Sequence, residues 1–328
     1  MTPQAGQSDA RPRQVGVGVI GIGRMGRQHA LNLLRTPSAK LICACSPAQA
    51  DMDWAGKSLA PYGVSIWSSF EDMLNAPGLE AVVIASATPF HQPQTLECIR
   101  RGIHVLCEKP VAENTSQVEE LLTVARAHPT VKVMVGFMRR FDENYLDAFS
   151  RIGRGEIGEP LVIRSQAYDT LDTSPQYKEY LKASGGIFLD ATIHDIDLVL
   201  SFFGRDVRPK AVWAAGLRSY HKELSTTMDA DNAVGICEFH DSKIAFFYNS
   251  RTSPRGFDNQ TEIVGTSGKI SVNLLCRQNK VESATKMGSE SNRLTAEDAL
   301  KSLQIAEALQ HSLVTGEKVE FSNLKPRI

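Results

Sequence analysis

The sequence predicts an α/β protein in two parts: a first domain built on a parallel sheet, and a C-terminal α+β domain whose sheet is mostly antiparallel. Three observations lead there. Strand-like apolar runs alternate with helical patterns from Val15 to Val135, which implies parallel strands joined by helical crossovers. From Pro160 onward strand patterns follow one another across short turns such as Asp241-Ser242 and Gly265-Thr266-Ser267-Gly268, as in antiparallel sheets. The length of 328 residues suits two domains of roughly 150 residues each. The expected layout is a disordered tail at 1–13, a first domain at 14–136 and a second at 137–328.

Residues 1–13 are rich in Pro, Gln and small polar residues without an apolar stretch, the composition of a tail rather than a signal sequence. Val15-Gly16-Val17-Gly18-Val19-Ile20 reads as a buried strand that runs into Gly21-Ile22-Gly23-Arg24-Met25-Gly26, and residues 24–35 read as a helix. In this strand–turn–helix context G-x-G-x-x-G marks a Rossmann-type dinucleotide loop. Gly21 permits the tight turn, Gly23 lets the backbone approach a pyrophosphate, and Gly26 lets helix pack on strand. The helix start offers its amides to the phosphate charge.

Strands are expected at 40–45, 64–67, 81–85, 104–107 and 131–135, and helices at 48–59, 70–75, 92–101 and 116–127. In such open sheets ligands bind beyond the carboxyl ends of the strands. The turn Ala85-Ser86-Ala87-Thr88-Pro89 and the turn Glu108-Lys109-Pro110 therefore face the cofactor. The second strand ends in Ser46, where an acidic residue usually holds the adenosine ribose. No arginine follows in the next helical turn to meet a 2′-phosphate, so NAD is favoured and NADP stays open. Asp51 and Asp53 read as solvated helix residues. Lys109 is held between Pro110 and a carboxylate able to pair with it, and an ammonium there would stabilise negative charge on a reacting oxygen. The plainer reading of Lys109 is an exposed strand-end cation.

A helix at 144–151 and strands at 160–168, 210–217, 233–240, 243–250, 259–264 and 269–274 make up the second part, with a final helix at about 296–315 ended by Gly316. Residues 283–292 read as a mobile loop. One apolar face of this sheet could serve dimerisation. The stretch 185–203 reads as one helix with an apolar stripe of Leu189, Ile193, Ile196, Leu200 and Phe203. Beside it run Asp190, His194, Asp197 and Ser201, and the i, i+4 spacing lets Asp190 touch His194. A carboxylate orienting an imidazole is a general acid/base device. The same residues also fit a helix whose polar side chains merely border its buried face, or a zinc site of Asp190, His194 and Asp197.

The formal net charge of −1 gives no field to recruit nucleic acid or an anionic membrane, and no apolar run is long enough to span a bilayer. Six cysteines lack any C-x-x-C pairing and lie mostly in apolar runs, which points to reduced thiols and a cytoplasmic setting.

Taken together, Gly21–Gly26, Glu108-Lys109-Pro110, Gly136–Asp142, Gly185–Asp197 and Glu262-Ile263-Val264-Gly265 resemble the Gfo/Idh/MocA oxidoreductases. Gly136-Phe137-Met138-Arg139-Arg140-Phe141-Asp142 is similar to the inositol 2-dehydrogenase-like branch. The resemblance implies an NAD(P)-dependent dehydrogenase acting on a cyclic polyol or sugar. It implies Lys109, Asp190 and His194 as the catalytic trio and Arg139 as a further substrate contact. Cofactor contacts are expected at Gly21, Ile22, Gly23, Arg24, Met25, Gly26, Ser46, Ser86, Ala87, Thr88, His91, Glu108 and Lys109, with no metal. A homo-dimer or homo-tetramer through the C-terminal sheet is expected as well. Related architectures also serve as sugar-sensing regulators without chemistry, which is the alternative function. Residues 168–184 and 251–258 do not match the family pattern and are expected to line the substrate pocket.

Overall fold

The computed structural model describes residues 13–254, 256–273 and 295–321. The expected tail at 1–13, apart from Arg13, and the expected loop at 283–292 lie outside the described residues, as does Cys276. The chain divides into two compact units. One takes the residues up to Glu108 together with Thr123–Met134; the other takes Lys109–Leu122 and the residues from Val135 onward.

In chain order, the first part runs β1 (Val15–Ile20), α1 (Arg24–Leu33), β2 (Ala39–Cys45), α2 (Gln49–Ser58), β3 (Ser65–Trp67) and α3 (Phe70–Met73). It continues with β4 (Ala81–Ile84), α4 (His91–Arg100), β5 (His104–Cys107), α5 (Thr115–Ala127) and β6 (Val133–Val135). The strands order as β3-β2-β1-β4-β5-β6, and every pairing from β3 across to β5 is parallel. Because β2 and β4 flank β1, consecutive crossovers leave in opposite directions there, which opens a crevice at the carboxyl end of β1. The apolar runs explain the sheet: Val17, Val19, Leu41, Ala44 and Val83 pack with Ala30, Ala55 and Leu59 into one core.

The second part runs α6 (Glu143–Gly153), β7 (Pro160–Thr170), α7 (Pro175–Ala183), α8 (Ile193–Phe203), β8 (Pro209–Leu217), β9 (Asn232–Phe239), β10 (Ile244–Ser253), β11 (Asp258–Gly265), β12 (Lys269–Val272), α9 (Ala296–Thr315) and β13 (Val319–Glu320). Its sheet has the order β12-β11-β7-β10-β9-β8-β13. It is antiparallel except for β7 against β10. Alternation along β9 buries Ala233, Gly235, Cys237 and Phe239 on one face. There α9 lies close, since a Cβ on Gly235 would meet Leu309 and Phe188. On the other face Trp213 stands opposite Ile236, and Ile236 opposite Phe246. Trp213, Val162 and Ile244 are exposed there.

Three local readings are corrected. The helix read at 185–203 is interrupted: Phe188–Thr192 forms a π turn and α8 begins only at Ile193. Residues 175–183, for which no helix was expected, form one opened by Pro175 and capped by Ser174. The strand read at 243–250 extends to Ser253, so Arg251 belongs to the sheet.

Candidate active site

The glycine loop shows how local sequence builds a ligand cradle. Gly21 sits at φ +82°, where a side chain would strain the turn and run into Ser86. A Cβ on Gly26 would overlap the Gly21 carbonyl oxygen, whereas one on Gly23 would meet nothing. Two of the glycines are therefore demanded by the fold itself, and Gly23 leaves room above the loop. The first turn of α1 has no side-chain cap and no acidic residue, so its amides remain donors for an anion. These features fit a dinucleotide pyrophosphate. Ile22 is buried under the loop, Met25 is half-buried and Arg24 is exposed.

Around the crevice several of the other expected cofactor residues are held by hydrogen bonds. The Ser86 hydroxyl donates to Gln94 Oε1 at 2.7 Å, and His91 Nε2 meets the Ser86 carbonyl at 2.9 Å. Ala87 and Thr88 lead into the short 3-10 turn at Thr88–Phe90 that precedes α4. Glu108 Oε1 pairs with His29 Nε2 at 2.6 Å. Ser46 is buried and donates to Asp51 Oδ2 at 2.9 Å, while Asp51 Oδ1 accepts from Arg27 Nη2 at 2.9 Å. Asp51 is thus a bound residue and not a solvated one, and the nearby cation comes from α1.

In the other unit Lys109 Nζ donates to the Asp190 carbonyl at 2.7 Å and lies 3.4 Å from its Oδ1. The Asp190 carboxylate also accepts from Tyr180 Oη and, at 3.2 Å, from Arg251 Nη2. Arg251, only 1% exposed, holds Asp229 Oδ2 at 2.8 Å with its Nη1. Asp229 in turn accepts from the Ile187 amide at 2.9 Å and from Gln310 of α9 at 3.3 Å. A buried cation thus spans two carboxylates and fixes the start of the π turn. Burial pushes the Asp190 carboxyl upward, but Lys109 and Arg251 outweigh it and hold the pKa below the usual value.

The expected contact between Asp190 and His194 is not made; no hydrogen bond joins them among the described residues. A π turn needs more than four residues per turn, so i and i+4 no longer align. His194 is half-buried, its ring set edge-on to Phe137 at 6.1 Å, and its Nδ1 is buried without a partner. Burial, then the charges of Lys109 and Arg139, push its pKa well below the ordinary imidazole value. At neutral pH it is therefore a neutral base.

The remaining polar stripe is structural. Arg140 grips the buried Asp197 with two bonds of 2.7 and 2.6 Å, although burial still raises that carboxyl to about 6. Ser201 bonds back to the Asp197 carbonyl. Asp195 accepts from Arg139 at 2.6 Å, Ser165 at 2.6 Å and Asn249 at 3.0 Å. Among the described residues no group of three His, Cys, Asp or Glu could hold a metal, so the zinc reading has no ligand set there. A cavity of about 770 Å³ is lined by Arg139, Tyr168, Asp169, Asp258 and Asn259, among others, but not by Lys109, Asp190 or His194. Asp169 links the two features: burial, then Asp190, raise its pKa against the pull of Arg251, Arg139 and Lys109. The cavity thus adjoins the charged cluster through Arg139 and Asp169 without including Lys109, Asp190 or His194.

Asp169, Tyr180 and Arg251 fall within the stretches expected to line the substrate pocket but were not singled out, and Asp229 lay outside every expected site. Arg251 had a signal, since it shares the buried parity of Ala245, Phe247 and Asn249 along β10.

Comparison with known proteins accounts for both units. Residues 15–137 match the model of an oxidoreductase family with an NAD-binding Rossmann fold, and residues 145–271 match the Gfo/Idh/MocA C-terminal domain. The chain is 34% identical to a scyllo-inositol 2-dehydrogenase (NAD(+)) of Bacillus subtilis over 81% of this chain and 75% of that protein. It is 32% identical to a myo-inositol 2-dehydrogenase of Thermotoga maritima over 77% and 74%. Among solved structures, scyllo-inositol dehydrogenase from Lactobacillus casei with bound NAD(H) and scyllo-inositol superposes with a TM-score of 0.84. That match has 28% identity and covers 95% of this chain and 100% of that one. Glycine loop, charged cluster and these matches agree, and the chain belongs to the Gfo/Idh/MocA family of NAD-binding oxidoreductases.

Proposed function

We propose that the protein is an NAD-dependent dehydrogenase that oxidises a secondary alcohol of an inositol-like cyclic polyol or a sugar. The observation that carries this reading is Lys109 set against Asp190 while His194 is kept neutral. Oxidising such an alcohol requires an acceptor for the hydroxyl proton and a positive group for the negative charge that develops on oxygen. His194 takes the proton, and the Lys109 ammonium stabilises the oxygen. Asp190, kept ionised by its two cations, orients Lys109 and offers an acceptor to a neighbouring hydroxyl. Arg139 supplies a further substrate contact at the cavity edge. Bound NAD supplies the hydride acceptor.

The dehydrogenase names of the relatives favour this reading over a sensing role. The open sheet face around Trp213, Ile236 and Phe246 supports a homo-oligomer. The free, buried cysteines Cys43, Cys45, Cys98, Cys107 and Cys237 support work in the reducing cytoplasm. The test is a panel of inositols and aldoses with NAD and with NADP, followed by nicotinamide absorbance in both directions. Turnover of at least one cyclic polyol or sugar is expected; no turnover of any would overturn the reading.

A further inference from the structure

A dinucleotide site must tell a free adenosine 2′-hydroxyl from a 2′-phosphate, and the usual device is a carboxylate at the end of the second strand. This chain has Ser46 there, only 4% exposed. The Ser46 hydroxyl donates to Asp51 Oδ2 at 2.9 Å and accepts from the Ala48 amide at 3.3 Å. A carboxylate therefore stands one hydrogen bond beyond the strand end, delivered by α2. Its other oxygen pairs with Arg27, and the two side chains are 22% and 37% exposed. Arg27 is fixed twice more: its Nε donates to the Ile22 carbonyl inside the glycine loop at 3.0 Å, and its guanidinium lies 4.9 Å over the Trp54 ring. Those two contacts do not depend on Asp51, so the cation stays in place if the carboxylate is removed.

We infer that Asp51, through Ser46, selects NAD over NADP, and that Arg27 is a latent 2′-phosphate site which Asp51 neutralises. The inference rests on the dinucleotide reading of the glycine loop. Each carboxylate oxygen of Asp51 keeps lone-pair capacity for a ribose hydroxyl. A 2′-phosphate would meet that anion at close range and find the Arg27 cation already paired, which is discrimination by repulsion. Asp51→Asn keeps the shape and an acceptor for Ser46 but removes the charge, leaving Arg27 uncompensated.

The test is calorimetric titration of the full chain with ADP and with 2′,5′-ADP, and with NADH and NADPH, alongside melting curves. Wild type should prefer ADP and NADH. Asp51→Asn should shift the preference toward the 2′-phosphorylated partners by about tenfold or more. Adding Arg27→Gln to Asp51→Asn should abolish the gain. Asp51→Ala, which deletes the side chain, should shift the same way if Asp51→Asn melts too early to measure. An unchanged ratio in folded Asp51→Asn, or a gain that survives Arg27→Gln, overturns the inference while leaving dinucleotide binding intact. Wild type that binds none of the four nucleotides overturns the dinucleotide reading itself, and the inference with it.

Discussion

His194 is held neutral by where it sits. Burial and the two cations Lys109 and Arg139 keep it unprotonated, so the acid limb of kcat for alcohol oxidation should lie below the range of an ordinary imidazole. Lys109→Met removes one of those cations, and the His194 ring, followed by NMR, should then titrate at higher pH than in wild type. His194→Ala should lower kcat about 10²–10⁴-fold with the Kd for NADH unchanged; near-native turnover would reduce the residue to packing. The depressed pKa also has a cost. As pH falls through the normal imidazole range the unfolded chain gains a proton that the folded one refuses, so stability drops there and His194→Gln should flatten the drop. Arg251 bears on stability more directly. Arg251→Met leaves Asp190 and Asp229 buried without their shared cation, a loss of about 3–5 kcal/mol. Denaturant melts should show that loss, with part of it regained by adding Asp229→Asn. This residue was hard to read because its partners come from distant parts of the chain. A charged side chain at an inward strand position was the one local sign of it.

Local signals made some elements legible and left others hidden. The strand, glycine loop and helix from Val15 to Leu33 depend on periodicity and on glycines that the nearby backbone demands. That dependence separates two substitutions of the same kind. Gly26→Ala should lower Tm sharply, because its Cβ would overlap the Gly21 carbonyl oxygen, a backbone atom that cannot swing aside. Gly23→Ala should fold normally, since nothing faces its Cβ, yet weaken NADH binding by about tenfold or more, as expected when roughly 1.4 kcal/mol of contact is lost. Equal effects of the two on Tm would refute this division of labour. The π turn at Phe188–Thr192 had no such local signal. Gly185 and Gly186 both adopt positive φ, and Lys109 draws on the Asp190 carbonyl while Asp229 holds the Ile187 amide. Tertiary partners thus displaced the i, i+4 geometry that the apolar stripe suggested. The α7 helix was missed for a different reason: its Tyr and Lys residues are spaced without a strong apolar stripe, and only Ser174 and Pro175 mark its start.

At the scale of the molecule, one face of the second sheet carries an apolar strip centred on Trp213, Ile236 and Phe246. If that strip joins copies of the chain, Phe246→Asp should convert the oligomer to monomer in analytical ultracentrifugation while cofactor binding persists. Unchanged mass would place the interface elsewhere. Two-domain organisation and sheet polarity were legible because turns and apolar runs report them directly. Strand order was not: which strand neighbours β7 is decided by pairing across long stretches of chain. That pairing has a consequence for synthesis. β7 is flanked by β10 and β11, with Val162 opposite both Ile244 and Val264. A growing chain must therefore carry β7 with both edges open until β10 and β11 have left the ribosome. Closure of such distant contacts is slow, and unpaired edges invite wrong partners. Truncation before Ile244 should accordingly yield aggregates, and the strand most in need of chaperone cover during translation is β7.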